Sequence, residues 1–503
     1  MRTRRWLAPA GAGACVALLL AAAPTRAAPL ATLPGSLPAK LTEWGLDASQ
    51  VSVYVRHVEA DEPLLAVNPT TPRVPASVIK LLTTIAGLDL LGSTYRWQTD
   101  VYTVGEIRNG QLRGDLYLKG FADPYLSPEA FVGLLRTVRI KGVQHVSGDI
   151  VFDYGYLAPP EQARGDFDGA EGSAYNALPV ALSVNRQVTE VRLFADRAQQ
   201  RVGVYTEPPL SGVVIANQAQ LVEAPCRARD HRPLVQFIEA TETAGPTLRI
   251  AGTFASACPE ESVTELILTP EQHAAAAFDA LWRELGGTVG GSLRLGTVPR
   301  GATLLHRALS PPLGIVIRDI NKNSNNLMAR TLFLTLGAQR AGAPGTLEKS
   351  RATIAAWLSA RGFTFPSLFV DNGSGLSRQT RIAAGDLGTL LVWSWHQPWM
   401  PDLLSSMAIA GVDGTVRRRL RQEPVAGRAQ LKTGTVRDAS CIAGYVLDRN
   451  DQRWVVVVFV NAKEPGQQLG AWRGHAVQHE ILRWVYRGPP QPNAAAPSVP
   501  AAD

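Results

Sequence analysis

Apolar and polar residues change their period several times along this chain. Val51-Ser52-Val53-Tyr54-Val55 alternates as a strand does, and Leu64-Leu65-Ala66-Val67 follows as its hairpin partner. Past Pro72 and Pro75 the period becomes helical from Ser77 to Leu91, with Gly92 as the stop. From about Trp97 to about Thr269 short alternating runs recur, among them Asp115 to Lys119, Asp149 to Phe152 and Glu190 to Phe194. Turn-forming Gly, Pro and Asn separate them, which predicts a β-rich insertion of two small lobes. Helical spacing returns over Glu271 to Leu285, Pro312 to Leu336, 348–361 and 384–395. Strand-like segments then cover Ala429 to Thr435, Ser440 to Leu447 and Trp454 to Val460, and an amphipathic helix covers Leu469 to Tyr486.

This order predicts an α/β (α+β) protein whose main domain, residues 28–96 and 270–487, is interrupted by the insertion at 97–269. The opening hairpin joins an antiparallel sheet containing the strand of Lys432, helices flank that sheet, and the helix bearing Ser77 faces it. Residues 488–503, rich in Pro, Ala and Ser, read as a disordered tail.

Composition changes this picture at the N-terminus. Arg2, Arg4 and Arg5 precede an apolar stretch around Cys15 to Leu20, and small residues lead to Ala27. Residues 1–27 therefore read as a secretory signal; the apolar core is short for a bilayer span, which leaves retention as an anchor the lesser alternative. At most peripheral membrane contact is expected. The leader carries four arginines and no acids, so its removal lowers the formal charge from +7 to +3. A charge of that size argues against a nucleic-acid partner. Arg417-Arg418-Arg419-Leu420-Arg421 is a local basic run, read as a solvated face. Export makes a Cys226–Cys258 disulfide reasonable, while Cys441 sits in an apolar run as a small buried hydrophobe. His475 and His479 stand four apart without further ligands, so neither a metal nor an organic cofactor is expected.

The chemistry lies in three short motifs: Ser77-Val78-Ile79-Lys80, Ser324-Asn325-Asn326 and Lys432-Thr433-Gly434. Each is weak alone. Together they are the signature of serine acyl-transfer enzymes that use lysine where others use histidine. Ser77 and Lys80 project from one helix face, and a neutral, buried Lys80 could take the hydroxyl proton. Lys432 is the cation that would help keep Lys80 neutral. Asn321 to Asn326 is a poor helix former wedged between apolar segments, as a functional insert would be. Ser324 could protonate a leaving amine, and Asn326 could bind a substrate amide. Gly434 leaves room for another backbone, while Lys432 and Thr433 suit a substrate carboxylate. The backbone N–H groups of Ser77 and Thr435 would form an oxyanion hole.

With these motifs in this order, the chain resembles the low-molecular-mass, class C penicillin-binding proteins of the peptidase S13 family. The long interval from Lys80 to Ser324 matches that family's insertion. Gly120 to Leu126, Tyr175 to Pro179, Asp371 to Arg378 and Gly411 to Thr415 also resemble its segments in order. The resemblance implies a penicillin-binding/β-lactamase-like transpeptidase domain and a periplasmic or cell-wall location. It implies a serine D-alanyl-D-alanine carboxypeptidase/endopeptidase that acts on peptidoglycan stem peptides and is acylated by β-lactams at Ser77. Ser374 and Arg378 would bind the free end of the stem peptide, with Asp168 or Glu171 as an acidic partner. Two alternatives are a β-lactamase or esterase on this scaffold and a silent wall-binding protein. Trp393, Trp395 and Trp399 offer such a module a sugar surface, although anchoring a helix end suits them better.

Overall fold

The computed structural model describes residues 29–226, 231, 233–240 and 245–488. The expected leader and nearly all of the expected tail lie outside them.

The main domain is built on one six-stranded sheet. Its labelled elements are β1 (Val51–His57), β2 (Leu65–Val67), α1 (Lys80–Leu91), α2 (Leu313–Lys322), α3 (Asn326–Ala341), β3 (Ala429–Val436), β4 (Ala439–Leu447), β5 (Arg453–Asn461) and α4 (Ala471–Tyr486). The strand order is β2-β1-β5-β4-β3 followed by the short strand Ala408–Ile409, antiparallel throughout. The expected hairpin thus joins the sheet of Lys432. Apolar residues run continuously along β4 and β5 because both faces are covered. Cys441, Tyr445, Val455, Val457 and Phe459 join the core of α1 and the helix Ala384–Trp395. Ile442, Val446, Val456, Val458 and Val460 join the core of α4, through its Val477, Ile481, Leu482 and Val485. One strand period feeds two cores.

The insertion departs from expectation in extent and content. Its large sheet is founded on the hairpin Gln98–Arg108 and Gln111–Gly120, and its edge strand is Thr303–Leu309, paired with the first arm. Helix Pro270–Glu284 belongs to this body, since Phe278, Leu281 and Trp282 share one cluster with Phe131, Leu134 and Leu135. The boundary expected at residue 270 therefore falls inside the inserted body, which returns to the main domain at about residue 310. Helix Pro128–Ile140, hidden in β-like texture, begins with Ser127 accepting from Ala130 N at 3.2 Å. A smaller lobe pairs Thr189–Asp196 with Arg201–Glu207 and Glu261–Glu265. Nearby, Cys226 and Cys258 form the expected disulfide.

Candidate active site

Ser77 stands in a single tight turn, Ala76–Ile79, that leads directly into α1. Ala76 takes a left-handed φ of 46°, a conformation that a residue with a Cβ holds only under outside constraint. Two glycines supply it. A Cβ on Gly375 would meet Ala76 O at 1.9 Å, and one on Gly434 would meet Pro75 O at 2.6 Å and Ser77 N at 2.7 Å. Bare backbone on both sides lets the turn wedge between β3 and the 371–378 loop. Because the atoms Gly434 would strike are backbone, Gly434→Ala should displace Ser77 and slow acylation by roughly 100-fold. Rates of labelling by a fluorescent penicillin, taken with melting curves, check this; a near-normal rate would refute it.

Lys80 follows one turn on and is fully buried. Its Nζ lies 2.8 Å from Ser77 Oγ, 2.7 Å from Asn326 Oδ1 and 2.6 Å from the Ser374 carbonyl. A neutral amine has two N–H donors and one lone pair. In the neutral form the two carbonyl-type oxygens would take the donors, leaving the lone pair for the serine hydroxyl. Burial first, and the charge of Lys432 second, hold Lys80 well below the usual lysine range.

Lys432 is equally buried, and burial brings it down to about 7. It donates to Ser324 Oγ at 2.9 Å and to the Thr433 carbonyl at 2.7 Å. Ser324 occupies the break between α2 and α3, as the poor helix formers there suggested. It has a φ of 58°, and Asn325 caps α3 by accepting from Met328 N at 3.0 Å. Asn326, the first residue of α3, is held at both ends, since its Nδ2 also donates to the Tyr175 carbonyl at 3.1 Å. The three motifs therefore converge on one spot. Strand Ala408–Ile409 pairs only with Leu431 and Gln430, so the outer edge of β3 from Thr433 to Val436 has no strand partner among the described residues. An extended peptide can add there.

The remaining expected residues divide. Arg378 is exposed, stacks on Phe167 at 5.5 Å, and lines a cleft of about 320 Å³ with Arg164, Asp166, Asn176 and Arg330. Ser374 does not line it. Its side chain is buried, with Oγ donating to Asn372 Oδ1 at 2.8 Å and accepting from Leu376 N at 3.2 Å. Ser374 reaches the site through its carbonyl on Lys80. Asp168 already accepts from Tyr175 Oη at 2.5 Å and Asn176 Nδ2 at 2.8 Å. Those bonds, led by Tyr175 and joined by the charge of Arg378, hold its carboxyl below the usual range. Thr433 Oγ1 lies 2.7 Å from Thr415 Oγ1, and Thr435 is exposed. Tyr175, Asn372, Thr415 and Arg330 were not foreseen individually. Their roles come from distant segments that meet only in the fold.

Other marked residues stay outside this cleft. Trp393 meets Trp357, Phe363 and Trp399 edge-on, and Trp395 tilts against Tyr445, so these rings are core anchors. Cys441 is buried, its Sγ 3.3 Å from the Val74 carbonyl. His475 and His479 stack at 6.4 Å, and burial with Arg419 nearby lowers both to about 4.

The sequence profile of the D-Ala-D-Ala carboxypeptidase 3 (S13) family matches residues 33–484. This chain belongs to that family. It is a serine-type D-alanyl-D-alanine carboxypeptidase, a hydrolase. Among S13 relatives, the D-alanyl-D-alanine carboxypeptidase DacB of Haemophilus influenzae is 22% identical over 428 residues, 85% of this chain and 88% of that one. The D-alanyl-D-alanine carboxypeptidase of Actinomadura sp. is 28% identical over 447 residues, 85% of this chain and 81% of that one. The crystal structure of penicillin-binding protein 4 from H. influenzae superposes with a TM-score of 0.69 at 21% identity, covering 86% of this chain and 96% of that one. The fold of this S13 member is thus the penicillin-binding one.

Proposed function

We propose that this enzyme hydrolyses D-alanyl-D-alanine ends, and D-alanyl cross-links, of peptidoglycan through an acyl-enzyme on Ser77. The observation that carries the proposal is a buried amine of lowered basicity, Lys80 Nζ, 2.8 Å from the Ser77 hydroxyl. Lys80 takes the proton as Ser77 Oγ bonds to the penultimate D-alanyl carbonyl carbon. Backbone N–H groups of Ser77 and Thr435 receive the developing oxyanion. The new ammonium is held by Asn326 Oδ1 and the Ser374 carbonyl, which makes these positioning groups. Ser324 gives its proton to the departing amine as the C–N bond breaks and takes one in turn from Lys432, whose Nζ donates to Ser324 Oγ. Lys432 and Thr433 hold the substrate carboxylate against the open edge of β3. Arg378 and its cleft take the far side chain of the stem peptide. Water then cleaves the ester.

A β-lactam offers Ser77 the same carbonyl and leaves slowly. We also place the enzyme outside the cytoplasm, in the periplasmic or cell-wall space, which the leader and the Cys226–Cys258 disulfide support. Among the described residues no helix is long and apolar enough to cross a membrane.

The test is covalent labelling by a fluorescent penicillin, with the adduct mapped by peptide mass and its rate followed against pH. The label should map to Ser77 and persist. Rapid release would instead mark a β-lactamase, and label elsewhere would refute the reading. The rate should rise with pH as Lys80 loses its proton. Lys432→Gln removes a neighbouring charge that lowers Lys80, so its rising limb should move to higher pH.

A further inference from the structure

The run Arg417-Arg418-Arg419-Leu420-Arg421 is not a uniformly solvated face. Leu420 takes a φ of 56° and is buried, and Arg419 turns inward beside it. Arg419 donates to Gln478 Oε1 at 2.7 Å and to His479 Nε2 at 3.1 Å, both on α4. The side chains of Arg417 and Arg418 remain exposed, with no hydrogen bond or ion pair among the described residues. With Lys322, Asn323, Gly414 and Thr415 they line a cleft of about 360 Å³.

The cleft is rigidly built. Thr415 bonds Thr433 on β3, and Lys322 donates to Asp413 Oδ2 at 2.5 Å and to the Met407 carbonyl at 2.9 Å. It opens from the active site on a definite side. Asn323 adjoins Ser324 and Thr415 touches Thr433, whereas the Arg378 cleft is lined by Asn176, next to the Tyr175 carbonyl that accepts from Asn326. The two clefts therefore adjoin different motif residues, and the one with Arg417 and Arg418 lies next to Ser324 and Thr433, the groups proposed to protonate the leaving residue and hold its carboxylate.

A lone D-amino acid brings one carboxylate, which Lys432 and Thr433 already receive. Two further unpaired guanidiniums call for negative charge farther along the leaving group. We propose that Arg417 and Arg418 form a leaving-group subsite for an acidic peptide. It favours bonds whose amine belongs to a peptide with a second carboxylate over bonds to a single D-amino acid. The chemistry is unchanged: the same C–N bond breaks and the same ester forms on Ser77. The inference rests on the DD-peptidase reading above and supplies the basis for cutting cross-links.

The test uses the full chain and two substrates sharing one acyl part. One ends in D-Ala-D-Ala; the other joins D-alanine to the amine of a D-amino acid peptide carrying two carboxylates. In Arg417→Gln/Arg418→Gln the ratio of kcat/KM, acidic over simple, should fall roughly 5- to 20-fold, what two partly exposed charge pairs can supply. In wild type that ratio should fall at about 0.5 M salt. A ratio unmoved by both changes would overturn the subsite. A second measurement does not depend on turnover: fluorescence anisotropy of the labelled acidic peptide on Ser77→Ala protein, with and without the two arginines. Equal affinities would also overturn it. Failure of the DD-peptidase reading looks different, with neither substrate hydrolysed and no penicillin bound in wild type.

Discussion

Ser77→Ala should abolish covalent penicillin labelling and lower kcat/KM for acyl-D-Ala-D-Ala by about ten-thousand-fold or more. The proposed route runs through an ester on this oxygen, and among the described residues no other hydroxyl hydrogen-bonds Lys80 Nζ. Ser324, the serine of the second motif, accepts from Lys432 instead and is proposed to protonate the leaving amine. Non-covalent binding should survive, because Lys432, Thr433 and the β3 edge are untouched. Mass spectrometry of penicillin-treated protein and turnover of a synthetic peptide measure both quantities. Label retained elsewhere in the active site would show that the nucleophile had been misassigned.

Lys80→Met should cost about 100- to 10,000-fold in acylation while leaving the fold and non-covalent binding in place. Methionine keeps the length and apolar stem but has no lone pair to accept the Ser77 proton. The two buried amines also tie stability to pH. Each binds its proton more weakly in the folded chain than in the unfolded one, where a lysine titrates near 10.5. Their cost to folding is therefore fully present below the folded values, about 7 for Lys432, and fades as pH rises toward 10.5. The melting temperature of Lys80→Met should compare best with wild type at acidic pH, its relative standing declining as pH rises. Acylation within tenfold of wild type would exclude Lys80 as the base.

Much of this was legible because each local signal agreed with the fold. The three motifs carried their own chemistry at short range: Lys80 one turn from Ser77, Gly434 beside Lys432, and helix-averse residues around Ser324. The strand periods of β1, β4 and β5 and the stops at Gly92 and the 323–325 break were equally local. The insertion was harder. Strand Thr303–Leu309 pairs with Gln98–Arg108 across a long sequence interval, and nothing within it signals that partner. Helix Pro270–Glu284 was read correctly as a helix but assigned to the wrong body. Its helical pattern shows an apolar face without saying what covers it. Ser374 was misread in a similar way. The family resemblance placed it at the substrate, but a buried loop turns its hydroxyl onto Asn372 and leaves its carbonyl to Lys80.

By itself, then, the sequence determined the reaction class, the three motifs proposed to carry it and most elements of the main domain. Those depend on residue type and short spacing, which the chain states directly. Only the tertiary structure decided how two lysines come to be buried together, which oxygens hold Lys80, and that Arg419 turns inward while Arg417 and Arg418 face a cleft. Such outcomes are set by burial and by contacts between segments far apart in the chain, quantities that no local stretch of sequence contains.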